Sequence, residues 1–84
     1  MEYVALDLET TGFDPERDRV IEVGAVAFDS ERVLGSLERL ADPGRSVPDA
    51  VLRLTGIDRE ELARAPSSTK VMQELAGFLE RRAP

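Results

Sequence analysis

The sequence predicts an α/β domain: a three-strand antiparallel meander followed by helices, with an incomplete sheet. Three observations carry this. Two apolar runs suited to strands, Tyr3 to Leu6 and Val20 to Phe28, lie close together with only a short polar stretch between them. A third, more polar run from Val33 to Ala41 follows a turn, Asp29-Ser30-Glu31. After Pro48 the pattern changes from alternation to helical spacing and keeps it to about Arg82. The first two strands have no helix-length connection between them, so they pair antiparallel.

Each element has a local cause. Tyr3 to Leu6 is apolar without interruption, as in a strand covered on both faces. It runs into Asp7-Leu8-Glu9 and ends sharply at Thr10-Thr11-Gly12. Asp14 to Arg19 is a polar, proline-containing loop. In the second strand Ile21, Val23, Ala25 and Ala27 share one face, with Val20, Glu22, Gly24 and Val26 on the other. The third strand is polar enough for a sheet edge, and Asp42-Pro43-Gly44 stops it. Pro48 opens a short helix, Asp49 to Leu54, with Val51, Leu52 and Leu54 available for burial and Gly56 as a left-handed C-cap. Asp58 with Glu61 caps a second short helix to about Arg64. Ser67 or Ser68 caps a final one, whose Val71, Met72, Leu75, Phe78 and Leu79 form a single core-packing stripe.

The chain has 84 residues, enough for one small domain that buries about 60–65% of its unfolded surface. It has no cysteine, so neither disulfides nor thiolate metal sites are available, and it has no run long enough for a membrane span. A cytoplasmic protein that meets no membrane is the expectation. The net charge of −6 speaks against a simple basic nucleic-acid-binding patch. There is no histidine, which rules out histidine-based general-base or metal chemistry within these residues.

The chemistry concentrates at the end of the first strand. Alternation puts Asp7 and Glu9 on one face, two residues and about 6–7 Å apart, in line with Tyr3 and Ala5. Two carboxylates beside a core repel each other and resist desolvation. A divalent cation with all-oxygen ligands, Mg²⁺ or Mn²⁺, relieves both problems. Gly12 lets another backbone or a phosphate approach closely. Glu22 is read mainly as a solvated strand position, with a role at the metal site as the competing assignment.

The stretch Ala5-Leu6-Asp7-Leu8-Glu9-Thr10-Thr11-Gly12 resembles the first motif of the DEDD family of 3′–5′ exonucleases, the proofreading type related to the epsilon subunit of bacterial DNA polymerase III. Pro48, Leu54-Thr55-Gly56-Ile57 and Ala65-Pro66 also look like family features, and the similarity runs along nearly the whole chain. The resemblance implies a ribonuclease H-like fold and 3′–5′ hydrolysis of terminal phosphodiesters of DNA or RNA by two metal ions, Mg²⁺ or Mn²⁺. It implies Asp7 and Glu9 as catalytic metal ligands. Thr10, Thr11 and Gly12 become substrate-binding residues, and Phe13 a residue that packs on the terminal base. Thr55, Gly56 and Ile57 would lie near the terminal nucleotide, a role balanced against a plain C-cap followed by a core isoleucine. The implied partners are the 3′ end of a single strand and a DNA polymerase subunit.

The chain departs from the family pattern after its last helix. The second motif, His-Asn-x-x-Phe-Asp in character, and the third, with a His or Tyr base and a final Asp, are both absent. Two of four carboxylates are present, and Tyr3, the one tyrosine, precedes Asp7 and cannot replace the base. Two carboxylates hold Mg²⁺ weakly. The 84 residues are therefore expected to be the N-terminal half of a nuclease domain, inactive alone, whose sheet is completed by a further segment, a partner chain or a second copy. Two other functions fit parts of the pattern. One is a non-catalytic binding module on a degenerate nuclease fold. The other is a haloacid-dehalogenase-type phosphatase with Asp7 as nucleophile and Glu9 as acid, which requires a parallel sheet.

Overall fold

The computed structural model describes residues 1–12, 14 and 16–82. Three strands, β1 (Tyr3–Thr10), β2 (Val20–Phe28) and β3 (Val33–Leu40), precede three helices, α1 (Asp49–Thr55), α2 (Arg59–Ala63) and α3 (Ser68–Arg82). The sheet order is β1-β2-β3 and both pairings are antiparallel. The expected meander followed by helices is thus the architecture found. An antiparallel β1–β2 pair joined without a helix is incompatible with the parallel sheet of the phosphatase reading.

Turn chemistry sets the joints. At the β2–β3 turn the Asp29 side chain accepts from the N–H groups of Glu31 and Arg32, both at 2.9 Å. Gly56 takes φ 76° and its N–H donates to the Leu52 carbonyl, closing α1 as a left-handed cap. Asp58 accepts from Glu61 N–H at the start of α2. Of the two serines, Ser67 is the cap of α3, accepting from Lys70 N–H, while the Ser68 hydroxyl donates to the Val20 carbonyl at 2.7 Å. That bond, with Asp42 N–H to Pro66 O and Ser68 N–H to Asp42 O, stitches the start of α3 to the sheet.

The main core lies on one face of the sheet. Val23, Ala25, Ala27 and Leu37 meet Val71, Leu75 and Phe78 of α3, with Ala41 completing the cluster. The two alanines let the helix axis come close to β2. At the far end, Arg82 lies over the Phe78 ring and against Gly35, where a Cβ would collide with its guanidinium. A second cluster of Ile21, Val47, Ile57 and Leu62 ties α1 and α2 to the end of the sheet.

Four expectations need correction. First, β1 is not covered on both faces: it is a sheet edge, and Leu6 and Leu8 are 48% and 38% exposed. Second, Met72 and Leu79 stay over a third exposed, because they flank the α3 stripe on the side where no strand lies beneath them. Third, Leu54 is 89% exposed, since a seven-residue helix turns only Val51 and Leu52 towards the second cluster. Fourth, Val20 packs against the main core, following the register shift opposite Glu9 and Thr10. Among the described residues no helix is long and apolar enough to cross a membrane.

The core makes a direct prediction. Phe78→Ala removes a 4%-exposed side chain from the helix–sheet contact and is expected to cost about 3–5 kcal/mol, read from urea or thermal denaturation. In a domain whose whole stability is about 4–13 kcal/mol, that change leaves little margin.

Candidate active site

The register of the sheet places the acidic residues. Asp7 is opposite Gly24, Glu9 is opposite Glu22, and Gly24 is opposite Glu38. Directly paired residues point to the same face, so Asp7, Glu9, Glu22 and Glu38 all project from the face that α3 leaves open. Tyr3 shares that face and stacks on Phe28, its cross-strand partner, with ring centroids 5.6 Å apart. A polar notch of about 310 Å³ on this face is lined by Asp7, Glu22, Glu38, Gly24 and Leu40 among others.

Repulsion between these groups is visible at Glu22. Its carboxyl is pushed above the usual range, first by desolvation and then by the charges of Glu9, Asp7 and Glu38. Glu22, read from sequence mainly as a solvated position, is therefore part of the acidic face. Cross-strand adjacency is invisible until the register is known. The donors are all carboxylate oxygens, the type a hard divalent cation prefers. Among the described residues, however, no three acidic side chains converge closely enough to hold a metal ion.

Beyond Glu9 the strand leads into a groove of about 210 Å³ whose walls are Leu8, Glu9, Thr10, Thr11 and Gly12 on one side and Val51, Leu54 and Thr55 on the other. Five of the sequence-derived site residues (Glu9, Thr10, Thr11, Gly12 and Thr55) thus meet in one place, although α1 lies more than forty residues along the chain. Asp7 is one alternation back along β1, on the same face as Glu9. Gly56 is the exposed cap of α1, and Ile57 is a core residue at 9% exposure, so neither lines the groove. Phe13 lies outside the described residues. Leu54 was not singled out as a site residue. Its sequence signals were its place in the family-like stretch Leu54-Thr55-Gly56-Ile57 and an apolar side chain in a helix too short to bury it.

The hydroxyls in the groove are already engaged. Thr10 donates to the Gly12 carbonyl. Thr11 donates to an Asp18 carboxylate oxygen at 2.8 Å and accepts from Arg19 N–H at 3.0 Å. Thr55 donates to the Val51 carbonyl at 2.9 Å. The apolar parts of these residues and the Gly12 backbone are what the groove offers a ligand. A larger concavity of about 550 Å³ lies between Asp18, Arg19 and Val20 and the start of α3. It contains no paired carboxylates.

Glu22 yields a pH-dependent expectation. Its raised folded-state pKa means that the folded protein binds this proton more tightly than the unfolded chain, so Glu22 costs stability as pH rises through that value. Glu22→Gln is expected to raise the thermal midpoint slightly near neutral pH, since solvent screens most of the repulsion at this partly exposed position. The gain should shrink towards pH 4, where the wild-type carboxyl is protonated as well. Melting curves of both proteins across this range check the sign.

Comparison with known proteins places the chain in a family and agrees with its fold. The RNase T exonuclease family model matches residues 4–83. The chain is 38% identical over 78 residues to a PolC-type DNA polymerase III of Thermotoga petrophila, covering 93% of this chain and 6% of that protein. It is 32% identical over 77 residues to the DNA polymerase III subunit epsilon of Treponema pallidum, covering 92% of this chain and 36% of the relative. Among solved structures, a 3′-exonuclease that recognises the histone mRNA stem-loop superposes with a TM-score of 0.77 at 20% identity, covering 96% of this chain and 40% of that one. The chain therefore spans about a third of an epsilon subunit and a small part of a PolC polymerase. Matched along almost its whole length by the family model, this chain belongs to the RNase T exonuclease family.

Proposed function

We propose that these residues form the first half of a 3′–5′ exonuclease site that removes terminal nucleotides from single-stranded nucleic acid. The observation that carries this is the groove itself, with the acidic end of β1 at one side and an apolar wall of Val51 and Leu54 at the other. A nucleotide has matching ends, a flat base and an anionic phosphate. Its base would lie on the apolar wall, and its phosphodiester near Glu9.

Asp7 and Glu9 would hold divalent cation, Mg²⁺ or Mn²⁺, with Glu22 adding negative potential across the strand pair. When bound, such ions activate water and stabilise the leaving oxygen of a phosphodiester. The chain's own residues bind and orient. Leu54 and Val51 exclude water from one face of the base, and Gly12 allows the sugar–phosphate backbone to approach without a side chain in the way. With two of the expected carboxylates and no histidine, residues 1–84 alone are proposed to be inactive. The polymerase names of the relatives support DNA as the substrate and a polymerase as the working partner.

Two measurements test this on the native gene product, with whatever sequence accompanies these residues. Asp7→Asn or Glu9→Gln is expected to reduce Mg²⁺- or Mn²⁺-dependent degradation from the 3′ end by about a hundredfold or more. Loss of neither metal dependence nor rate would overturn the assignment and favour a non-catalytic binding module. Leu54→Ala should separate binding from folding. At 89% exposure it changes stability by no more than about 0.5 kcal/mol, yet it should raise KM for a single-stranded 3′ end.

A further inference from the structure

With the groove taken as the seat of a 3′-terminal nucleotide, as proposed above, we infer that Asp18 is the positioning residue that holds the Thr10-Thr11-Gly12 wall in its binding shape. Asp18 does not line the groove; it stands behind it. One carboxylate oxygen accepts the Thr11 hydroxyl at 2.8 Å and the other accepts Asp14 N–H at 2.8 Å. Thr11 in turn exchanges bonds with Arg19, its N–H donating to the Arg19 carbonyl at 2.9 Å and its Oγ accepting Arg19 N–H at 3.0 Å. The carboxylate thus spans the loop from its first residues to its last.

The same carboxylate explains why glycine stands at position 12. A Cβ there would lie 2.6 Å from one Asp18 oxygen and 3.0 Å from the other, far inside contact distance. Gly12 has no positive φ. Its lack of a side chain serves the close approach of Asp18 rather than an unusual backbone conformation. From outside, the Arg45 guanidinium donates to the Arg17 carbonyl and anchors the loop to the segment after β3.

The electrostatics agree. The Asp14 N–H bond, and after it the Thr11 hydroxyl, hold the Asp18 carboxyl below the usual aspartate range, with Arg45 and Arg19 adding to the effect. At neutral pH Asp18 is therefore an acceptor only, as both of its bonds require. A shortened side chain at this position frees the Thr11 hydroxyl and lets the wall of the groove open.

Steady-state kinetics of the native gene product on a single-stranded oligonucleotide with Mg²⁺, combined with thermal melting, test the assignment. Asp18→Ala and Thr11→Val are each expected to raise KM about tenfold, roughly the worth of one partly exposed charge-assisted hydrogen bond, with kcat within about twofold. The double variant should fall well short of the product of the two penalties, because both remove the Thr11–Asp18 bond. Should Asp18→Ala fail to fold, Asp18→Asn keeps one carbonyl acceptor and should give an intermediate KM. Unchanged KM, a fall in kcat alone, or penalties that multiply in the double variant would each overturn the role of Asp18 while leaving the exonuclease reading intact. A wild-type protein that degrades no 3′ end with Mg²⁺, at the level of the Asp7→Asn control, would remove the exonuclease reading and this role together.

Discussion

One-sided packing of α3 against β2 is the constraint on which the rest of the structure depends. Val71, Leu75 and Phe78 descend onto Val23, Ala25 and Ala27, and the contact covers the β2 part of one face of the sheet. The small side chains of β2 set how near the helix comes, and the bonds from Ser68 and Asp42 set where it begins. Everything apolar that α3 does not reach, including Leu6, Leu8, Met72 and Leu79, stays on the surface. A three-stranded sheet under a single helix has room for one narrow core.

The acidic face is the consequence of that arrangement. Strand alternation sends every second residue away from the helix, and Asp7, Glu9, Glu22 and Glu38 are among them. They sit on water's side of the sheet, where their mutual repulsion is tolerable and where a cation or a phosphate-bearing ligand can reach them. Desolvation, and after it the charges of Glu9, Asp7 and Glu38, raise the Glu22 pKa. Carboxylates placed against the core would demand partners that the chain does not have. The open face lets them stand close together in contact with water.

Substrate specificity of the proposed site would come from elsewhere in the chain. The groove is built where the end of β1 passes α1, a helix held in place by the second cluster of Ile21, Val47, Ile57 and Leu62. Ile57 therefore affects the site indirectly, by fixing the element that carries Leu54 and Thr55. Thr10 and Thr11 likewise act through the loop they brace, since their hydroxyls are turned inward to Gly12 and Asp18. The wall that a nucleotide would meet is made of backbone, methyl groups and one exposed leucine.

Much of this was legible without coordinates. Alternation in Val20–Phe28 identified the buried face of β2, and the turn and cap residues Asp29, Gly56, Asp58 and Ser67 located the joints, because these signals act over a few residues and need no distant partner. The Asp7-x-Glu9 pair is a local signal of the same kind, and the family resemblance it carried agrees with the match to the RNase T exonuclease family. What the sequence could not hold was anything decided across space. The edge position of β1, the exposure of Leu54, the alignment of Glu22 opposite Glu9 and the closure of Asp18 onto Gly12 all depend on which elements become neighbours. Local chemistry chose the elements and the residues capable of reaction. Only packing decided which carboxylates share a face, which apolar side chain is left for a ligand, and which charge stands behind the loop.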